Sequence, residues 1–268
     1  MATNGDGPGG GALSAEDISR VLVLLRDVDS VELKLTVPES YQRSAVASLE
    51  LDPLDARIRQ VVFFDTPDLQ LHRAGVVVRA RRSQDRAHDS VVKLRPVVPA
   101  ELPDELRRSP AFVVEVDAMP GGYTCSGSFK GKVGPTDVKA ALTGDRPLRK
   151  LFTKGQRRFL AEHTPDGPGF DDLVPLGPIT VLKLQFSPEE LGRRMVAELW
   201  AYPDGSRILE LSTKCAPTEA FQVAAEAKAF LADRGVGISG EQQTKTATAL
   251  QYFSQLASTG PAGGRGDR

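Results

Sequence analysis

The strongest constraint on this chain is an alternation of period two that sets charge against aliphatic carbon. It recurs in VELKLTV at 31–37, GVVVRARRS at 75–83, DSVVKLRPV at 89–97, AFVVEVDA at 111–118 and SRILELSTK at 206–214. Successive side chains of a strand point to opposite faces, so residues two apart share one. One face then holds Glu32 with Lys34, Arg79 with Arg81, Lys93 with Arg95, Glu115 with Asp117, and Glu210 with Ser212 and Lys214. The other holds Leu33 and Leu35, Val76 and Val78, Val92 and Leu94, Val114 and Val116, Leu209 and Leu211. An open sheet with one wet face explains any single strand of this kind. It does not explain a set in which most strands carry two ionised groups on that one face. A closed barrel does, with its apolar faces covered by helices and its charged faces lining a wet lumen. A dry core would not accept these groups, because each unpaired buried ion costs several kcal/mol.

The remaining punctuation fits that reading. QVVFFDT at 60–66 is a further strand, and QRRFLAEH at 156–163, PITVLKLQF at 178–186 and RRMVAELWAY at 193–202 read as strands by the same composition. Pro203-Asp204-Gly205 is a hairpin turn between the last two strands. LSAEDISRVLVLLRDV at 13–28 is an amphipathic helix, with Ser14 and Asp17 at capping-box spacing. YQRSAVASLELD at 41–52 and PTDVKAALTG at 135–144 are shorter helices. TEAFQVAAEAKAFLADRG, ending on Gly235, and GEQQTKTATALQYFSQLA close the chain as two more. GGYTCSGSFKGKVG at 121–134 misses Walker spacing and reads as a mobile loop, a candidate lid over one tunnel mouth. Nine strands without regular βαβ alternation predict an α+β fold. Its form is a closed antiparallel β-barrel of eight to nine strands, a tunnel with flanking and C-terminal helices. A single domain spans 13–257, between Gly-rich tails at 1–12 and 258–268 that read as disordered.

The lumen face collects eight cations: Lys34, Arg79, Arg81, Lys93, Arg95, Arg158, Lys183 and Lys214. It also collects five acids: Glu32, Glu115, Asp117, Glu198 and Glu210. The whole chain carries 34 Lys+Arg against 35 Asp+Glu, so the excess is local. Bulk charge gives no argument for nucleic acid or a membrane surface as partner. Dense cations with Arg forks match phosphate oxygens. Carboxylates beside them are suited to Mg²⁺ or Mn²⁺, hard ions that bridge carboxylate and phosphate. The residues themselves therefore point to a small-molecule triphosphate with a divalent metal.

Other features carry less chemistry. Two cysteines, Cys125 and Cys215, make no disulfide framework and read as free thiols. With no secretory signal and no long apolar run, a cytoplasmic protein is expected. His72, His88 and His163 are scattered and form no ligand pair. Trp200 reads as packing in the barrel wall, and Asp65-Thr66-Pro67-Asp68 as a structural turn.

At these residues the chain resembles the CYTH domains, the triphosphate tunnel metalloenzymes. That family includes inorganic triphosphatases, thiamine-triphosphatases and class IV adenylate cyclases. VVFFDTPDLQLHRAGVVVRARR at 61–82 is similar to the family's strand, D-T-P-D-L turn and second strand ending in R-x-R. VVKLR at 91–95 resembles the next basic strand and VVEVD at 113–117 the acidic one. RILELSTK and the QQTK ending at Lys245 sit where the family has its closing strand and last helix. The family's E-x-E-x-K reads Ser30-Val-Glu32-Leu-Lys34 in this chain, and its closing E-x-E reads Glu210-Leu-Ser212. Hydroxyls thus stand at two of its metal positions, which lowers the expected metal affinity.

The resemblance implies that Lys34, Arg79, Arg81, Lys93, Arg95, Arg158 and Lys214 clamp a triphosphate, with Lys183 beside them and Lys34, Arg81 and Lys93 nearest the chemistry. It implies Mg²⁺ or Mn²⁺ on Glu32, Glu198 and Glu210, with Glu115 in support. The implied activity is a metal-dependent phosphohydrolase, in which water attacks a terminal phosphoryl in line. Two alternatives stay open: an adenylate cyclase of the same type, and a non-catalytic polyphosphate- or nucleotide-binding barrel weakened at Ser30 and Ser212. A homodimer is an open assembly state.

Overall fold

The computed structural model describes residues 15–84, 86–237 and 244–259. The Ser14 cap, both Gly-rich tails and the Gln242-Gln243 pair fall outside the described residues, save that the predicted C-terminal tail overlaps the last helix by two residues.

Nine strands form the wall: β1 Ser30–Val37, β2 Arg57–Asp65, β3 Val76–Ser83, β4 His88–Leu94, β5 Phe112–Met119, β6 Gly122–Val133, β7 Val174–Phe186, β8 Met195–Ala201 and β9 Arg207–Cys215. They close in the order β1-β5-β6-β4-β3-β2-β7-β8-β9, with β9 returning to β1. The barrel is mixed rather than antiparallel, because β1 and β5 run parallel, with Ser30 opposite Glu115 and Leu33 opposite Ala118. The reason is arithmetic. A ring with an odd number of strands cannot alternate direction all the way round, so at least one neighbouring pair must be parallel.

The helices are α1 Ala15–Leu25, α2 Gln42–Ser48, α3 Gln70–Arg73, α4 Asp104–Arg107, α5 Asp137–Leu142, α6 Lys154–His163, α7 Ala220–Asp233 and α8 Lys245–Thr259. The apolar core lies mostly outside the barrel. Val76, Val78, Val92, Val114 and Val116, outward residues of β3, β4 and β5, pack with Val138 of α5 and with Phe159 and Leu160 of α6. Leu35, Leu209 and Leu211 pack outward with Ala45 of α2 and with Phe230 and Leu231 of α7. A third cluster lies inside. Ala249, Leu250 and Phe253 of α8 meet Val61, Phe63, Trp200 and Ile208 on the inner face and cap one end of the lumen.

Two local expectations are corrected. QRRFLAEH is helix α6, not a strand. Thr153 accepts a hydrogen bond from the Gln156 amide, and the Gln156 side chain accepts one from the Thr153 amide, a capping box that fixes the first turn. GGYTCSGSFKGKVG contains the whole of strand β6, not a mobile lid, and is paired on both sides by β5 and β4. Gly127 and Gly131 mark close approach rather than looseness. A Cβ on Gly127 would meet the Phe112 ring at 2.6 Å, and one on Gly131 would meet the Gln156 amide oxygen at 2.5 Å. The 65–68 turn is structural, as expected: the Asp65 carboxylate accepts from the amides of Thr66, Leu71 and His72 at 2.7–2.9 Å.

Candidate functional site

The alternation of each strand delivers its charges inward. Glu32 and Lys34 of β1, Arg79 and Arg81 of β3, Lys93 of β4 with Arg95 just beyond it, Glu115 and Asp117 of β5, Lys183 of β7, Glu198 of β8 and Glu210 of β9 line one cavity of about 200 Å³. The structure therefore brings together six of the eight predicted cations and all five acids.

Two predicted clamps are not there. Arg158 follows from the corrected helix: it lies exposed on α6 and pairs with Glu162 at 2.6 Å. Lys214 does face the same way as Glu210, but it sits at the rim, half-exposed and bonded to Glu115, and does not line the cavity. Three cations of the cavity were not among the predicted site residues. Arg59 of β2 was legible by parity with Val61, since the same alternation runs back through RIRQVVFF. Lys130 lies on β6, where the run of small residues hid a strand. Lys245 comes from α8, so no strand parity announces it.

Among the described residues, nine cations and five carboxylates line the cavity, an excess of four positive charges. They form two linked networks. Asp117 is the hub of the first, taking Lys34 at 2.8 Å, Lys93 at 3.2 Å and Arg95. Glu198 is the hub of the second, taking Lys183 at 2.9 Å, Arg59 at 3.6 Å and Lys245. Lys245 also reaches Glu210 at 2.6 Å. Burial alone would raise the Glu198 pKa, yet the ammonium groups of Lys245 and Lys183 hold it well below the usual carboxylate range. Burial, reinforced by Arg95, Lys34 and Arg79, drives the Lys93 pKa well below that of an ordinary lysine.

Arg79 stands apart. Among the described residues it makes no ion pair, and its Nε is buried without a hydrogen-bond partner. Burial and the neighbouring Arg81 push its pKa down to about 10. Arg95 has the same orphaned Nε. Arg81, by contrast, is matched at 2.7 Å by Asp89. A second cavity of about 480 Å³ shares Arg59 and Lys183 with the first and is lined also by Arg57, Arg86, Arg194 and Asp55, so cations predominate beside the lumen. A surface on which one sign of charge predominates concentrates ligands of the other.

The acidic residues offer hard oxygen donors, the right chemistry for Mg²⁺ or Mn²⁺. Their arrangement does not fit such an ion. Among the described residues no three metal-ligating groups converge. Glu32 is bonded to Lys34 at 3.2 Å, Glu115 to Lys214, and Glu198 and Glu210 to Lys245. Ser30 donates to Glu115 at 3.4 Å, and Ser212 is buried opposite Lys34. Trp200 is 3% exposed and stacks on Phe63 with ring centres 6.3 Å apart, as wall packing requires. Cys125 and Cys215 are buried free thiols, with burial pushing Cys125 up to about 11. No helix among the described residues is long and apolar enough to cross a membrane.

No family model matches the chain, and no curated protein matches it. Solved structures do. A protein from Hippeastrum, described as a candidate adenylyl cyclase with a dominant triphosphatase activity, superposes with a TM-score of 0.62 at 16% identity, covering 82% of this chain and 95% of its own. A candidate adenylate cyclase from Bacillus halodurans gives 0.56 at 14% identity, covering 82% of this chain and 97% of its own. At such identities the likeness is one of fold: this chain shares the barrel fold of those proteins.

Proposed function

We propose that the tunnel binds a triphosphate, inorganic or organic, and hydrolyses its terminal phosphoryl group. The observation that carries this reading is Arg79. A guanidinium inside the wall with no acidic partner costs several kcal/mol, and the fold retains it. An anion in the lumen would supply what the described residues do not. With Lys34, Arg81, Lys93 and Arg95 around it, the geometry suits an anion with several oxygens along its length.

In this reading Arg79 and Arg95 supply free guanidinium donors, and Lys34 and Lys93 turn part of their bonding from Asp117 to phosphate oxygens. Water attacks the terminal phosphorus in line. The new bond joins water oxygen to phosphorus, the bridging P–O bond breaks, the leaving diphosphate end takes the electron pair, and the proton lost by the water passes to the phosphate products or to solvent. Charge on the equatorial oxygens is met by fixed cations that need little reorganisation. Mg²⁺ or Mn²⁺ is what the family resemblance implies. Because lysines already occupy the acidic residues, each of these steps rests on the chain's own charges. The fold-sharing protein from Hippeastrum, described by its dominant triphosphatase activity, supports the choice of reaction. A cytoplasmic setting with a small-molecule substrate belongs to the same proposal, consistent with two free thiols.

A second reading is favoured by Ser30 and Ser212: a barrel that binds polyphosphate without turning it over. Phosphate release from tripolyphosphate, measured with and without Mg²⁺ or Mn²⁺ beside calorimetric binding, separates the two. Release supports the enzyme; binding without release leaves the second reading. Cyclic AMP from ATP, with no free phosphate, would replace both with the cyclase.

A further inference from the structure

Glu198 and Glu210 are direct cross-strand partners on β8 and β9. Like charges so placed repel and require a cation between them. The chain supplies its own. Lys245 Nζ bonds Glu198 and, at 2.6 Å, Glu210, and it lies 5.3 Å from the centre of the Trp200 ring. The Lys245 side chain is only 15% exposed. Its place is set by the fold, since Lys245 opens α8, and α8 is anchored in the barrel end by Ala249, Leu250 and Phe253. We propose that Lys245 is a resident cation that fills the position between Glu198 and Glu210 and excludes a divalent ion from it.

Three further observations bear on this. Ser30 and Ser212 share the inner face with Glu32 and Glu210 at a spacing of two, so the set has two hydroxyls where added carboxylates would favour a divalent ion. The second Glu198 oxygen is taken by Lys183 at 2.9 Å. The cavity already carries an excess of four positive charges. A free triphosphate of about −4 to −5 balances that excess, whereas its complex with one divalent ion leaves about one to two positive charges unmatched. The last point rests on the triphosphate reading above; the metal exclusion itself does not.

The test is Mn²⁺ binding to the purified full chain after chelator treatment, read from the electron paramagnetic resonance signal of free Mn²⁺. Wild type is compared with Lys245→Met and Lys245→Arg. The expected result is binding at least tenfold tighter in Lys245→Met than in wild type, with Lys245→Arg like wild type. Wild type that binds Mn²⁺ as tightly as Lys245→Met overturns the proposal. So does Lys245→Arg binding as tightly as Lys245→Met, because charge would then not be the cause. Trp200, the chain's single tryptophan, gives a second readout on unaltered protein if Lys245→Met fails to fold. Millimolar Mg²⁺ should leave wild-type Trp200 emission unchanged, and a saturable change would overturn the proposal by showing that the ion displaces Lys245. Tripolyphosphate titrated in chelator tests the other reading separately. If it fails to bind with or without Mg²⁺, the triphosphate assignment falls while the Mn²⁺ comparison still decides the role of Lys245.

Discussion

Lys34 bonds Asp117 at 2.8 Å across the seam where β1 and β5 run parallel, and it bonds Glu32 at 3.2 Å on its own strand. Glu32 and Asp117 are register partners across that seam, so Lys34 is what allows two carboxylates to stand side by side. Asp117 in turn holds Lys93 and Arg95. Asp117→Asn keeps the shape, leaves Lys93 and Arg95 without their counter-charge and leaves Lys34 with Glu32 alone. Breaking a buried pair from one side costs about 3–5 kcal/mol, so the free variant should melt well below wild type. Tripolyphosphate would replace the lost charge, and its stabilising shift in Tm should exceed that of wild type. An equal shift in the two proteins would mean that the anion does not reach these cations.

Arg79→Met makes the opposite prediction for the free protein. It removes a guanidinium whose buried Nε has no partner and keeps most of the side-chain volume. The unliganded variant should resist urea as well as wild type or better. Tripolyphosphate affinity should fall more than tenfold, since a hydrogen bond to a charged group is worth about 1.5–3 kcal/mol. A destabilised variant with unchanged affinity would make Arg79 a structural residue and remove the observation on which the functional reading stands.

The site was legible because β-strand parity is a rigid rule. Six cations and all five acids found by counting in twos line the cavity. The rule fails where its premise fails. Arg158 was assigned a face of a strand, but Gln156, Phe159 and Leu160 recur at helical spacing and are all buried, and α6 turns Arg158 outward. Lys214 obeys parity, yet a face gives no depth, and near the end of β9 the side chain reaches the rim. Lys245 belongs to a helix inserted into the barrel end, a long-range arrangement that local pattern does not encode. The parallel seam was readable in principle, because nine strands cannot alternate around a closed ring.

Gly131→Ala tests the reading of β6 as a packed strand. The new methyl would press on the Gln156 amide oxygen and on Ser90 Oγ. Gln156 cannot yield easily. Its Nε2 donates to the carbonyls of Ser90 and Phe129, each at 3.0 Å, and its Oε1 accepts from Ser90 and from the Thr153 amide. Overpacking of this kind costs about 1–3 kcal/mol. The urea midpoint should fall accordingly, with tripolyphosphate affinity in the folded variant unchanged because Gly131 faces away from the lumen. A midpoint equal to wild type would show that β6 is loose.

Acid stability should expose the rim pair of Glu115 and Lys214. Burial alone would raise the Glu115 pKa; the Lys214 hydrogen bond outweighs it, aided by the charges of Lys130, Lys214 and Lys93, and holds the group at about 2. The ordinary value is 4.5. A carboxylate whose folded pKa is depressed binds fewer protons than the unfolded chain does between the two values. Its stabilisation is therefore complete above about pH 4.5 and is lost as pH falls toward about 2. Lys214→Met removes the largest of the opposing causes. Wild type should be the more stable at pH 6, and the gap should close between pH 4.5 and the acid limit. Because Lys214 is half-exposed, water screens the pair and the gap at pH 6 should be about 1 kcal/mol or less. Urea midpoints of both proteins across that range measure it. The same variant separates rim from lumen, since its loss of tripolyphosphate affinity should be smaller than that of Arg79→Met. A gap that does not change with pH would mean that Lys214 stabilises the barrel through its methylene stem, and a loss of affinity equal to that of Arg79→Met would return Lys214 to the phosphate clamp.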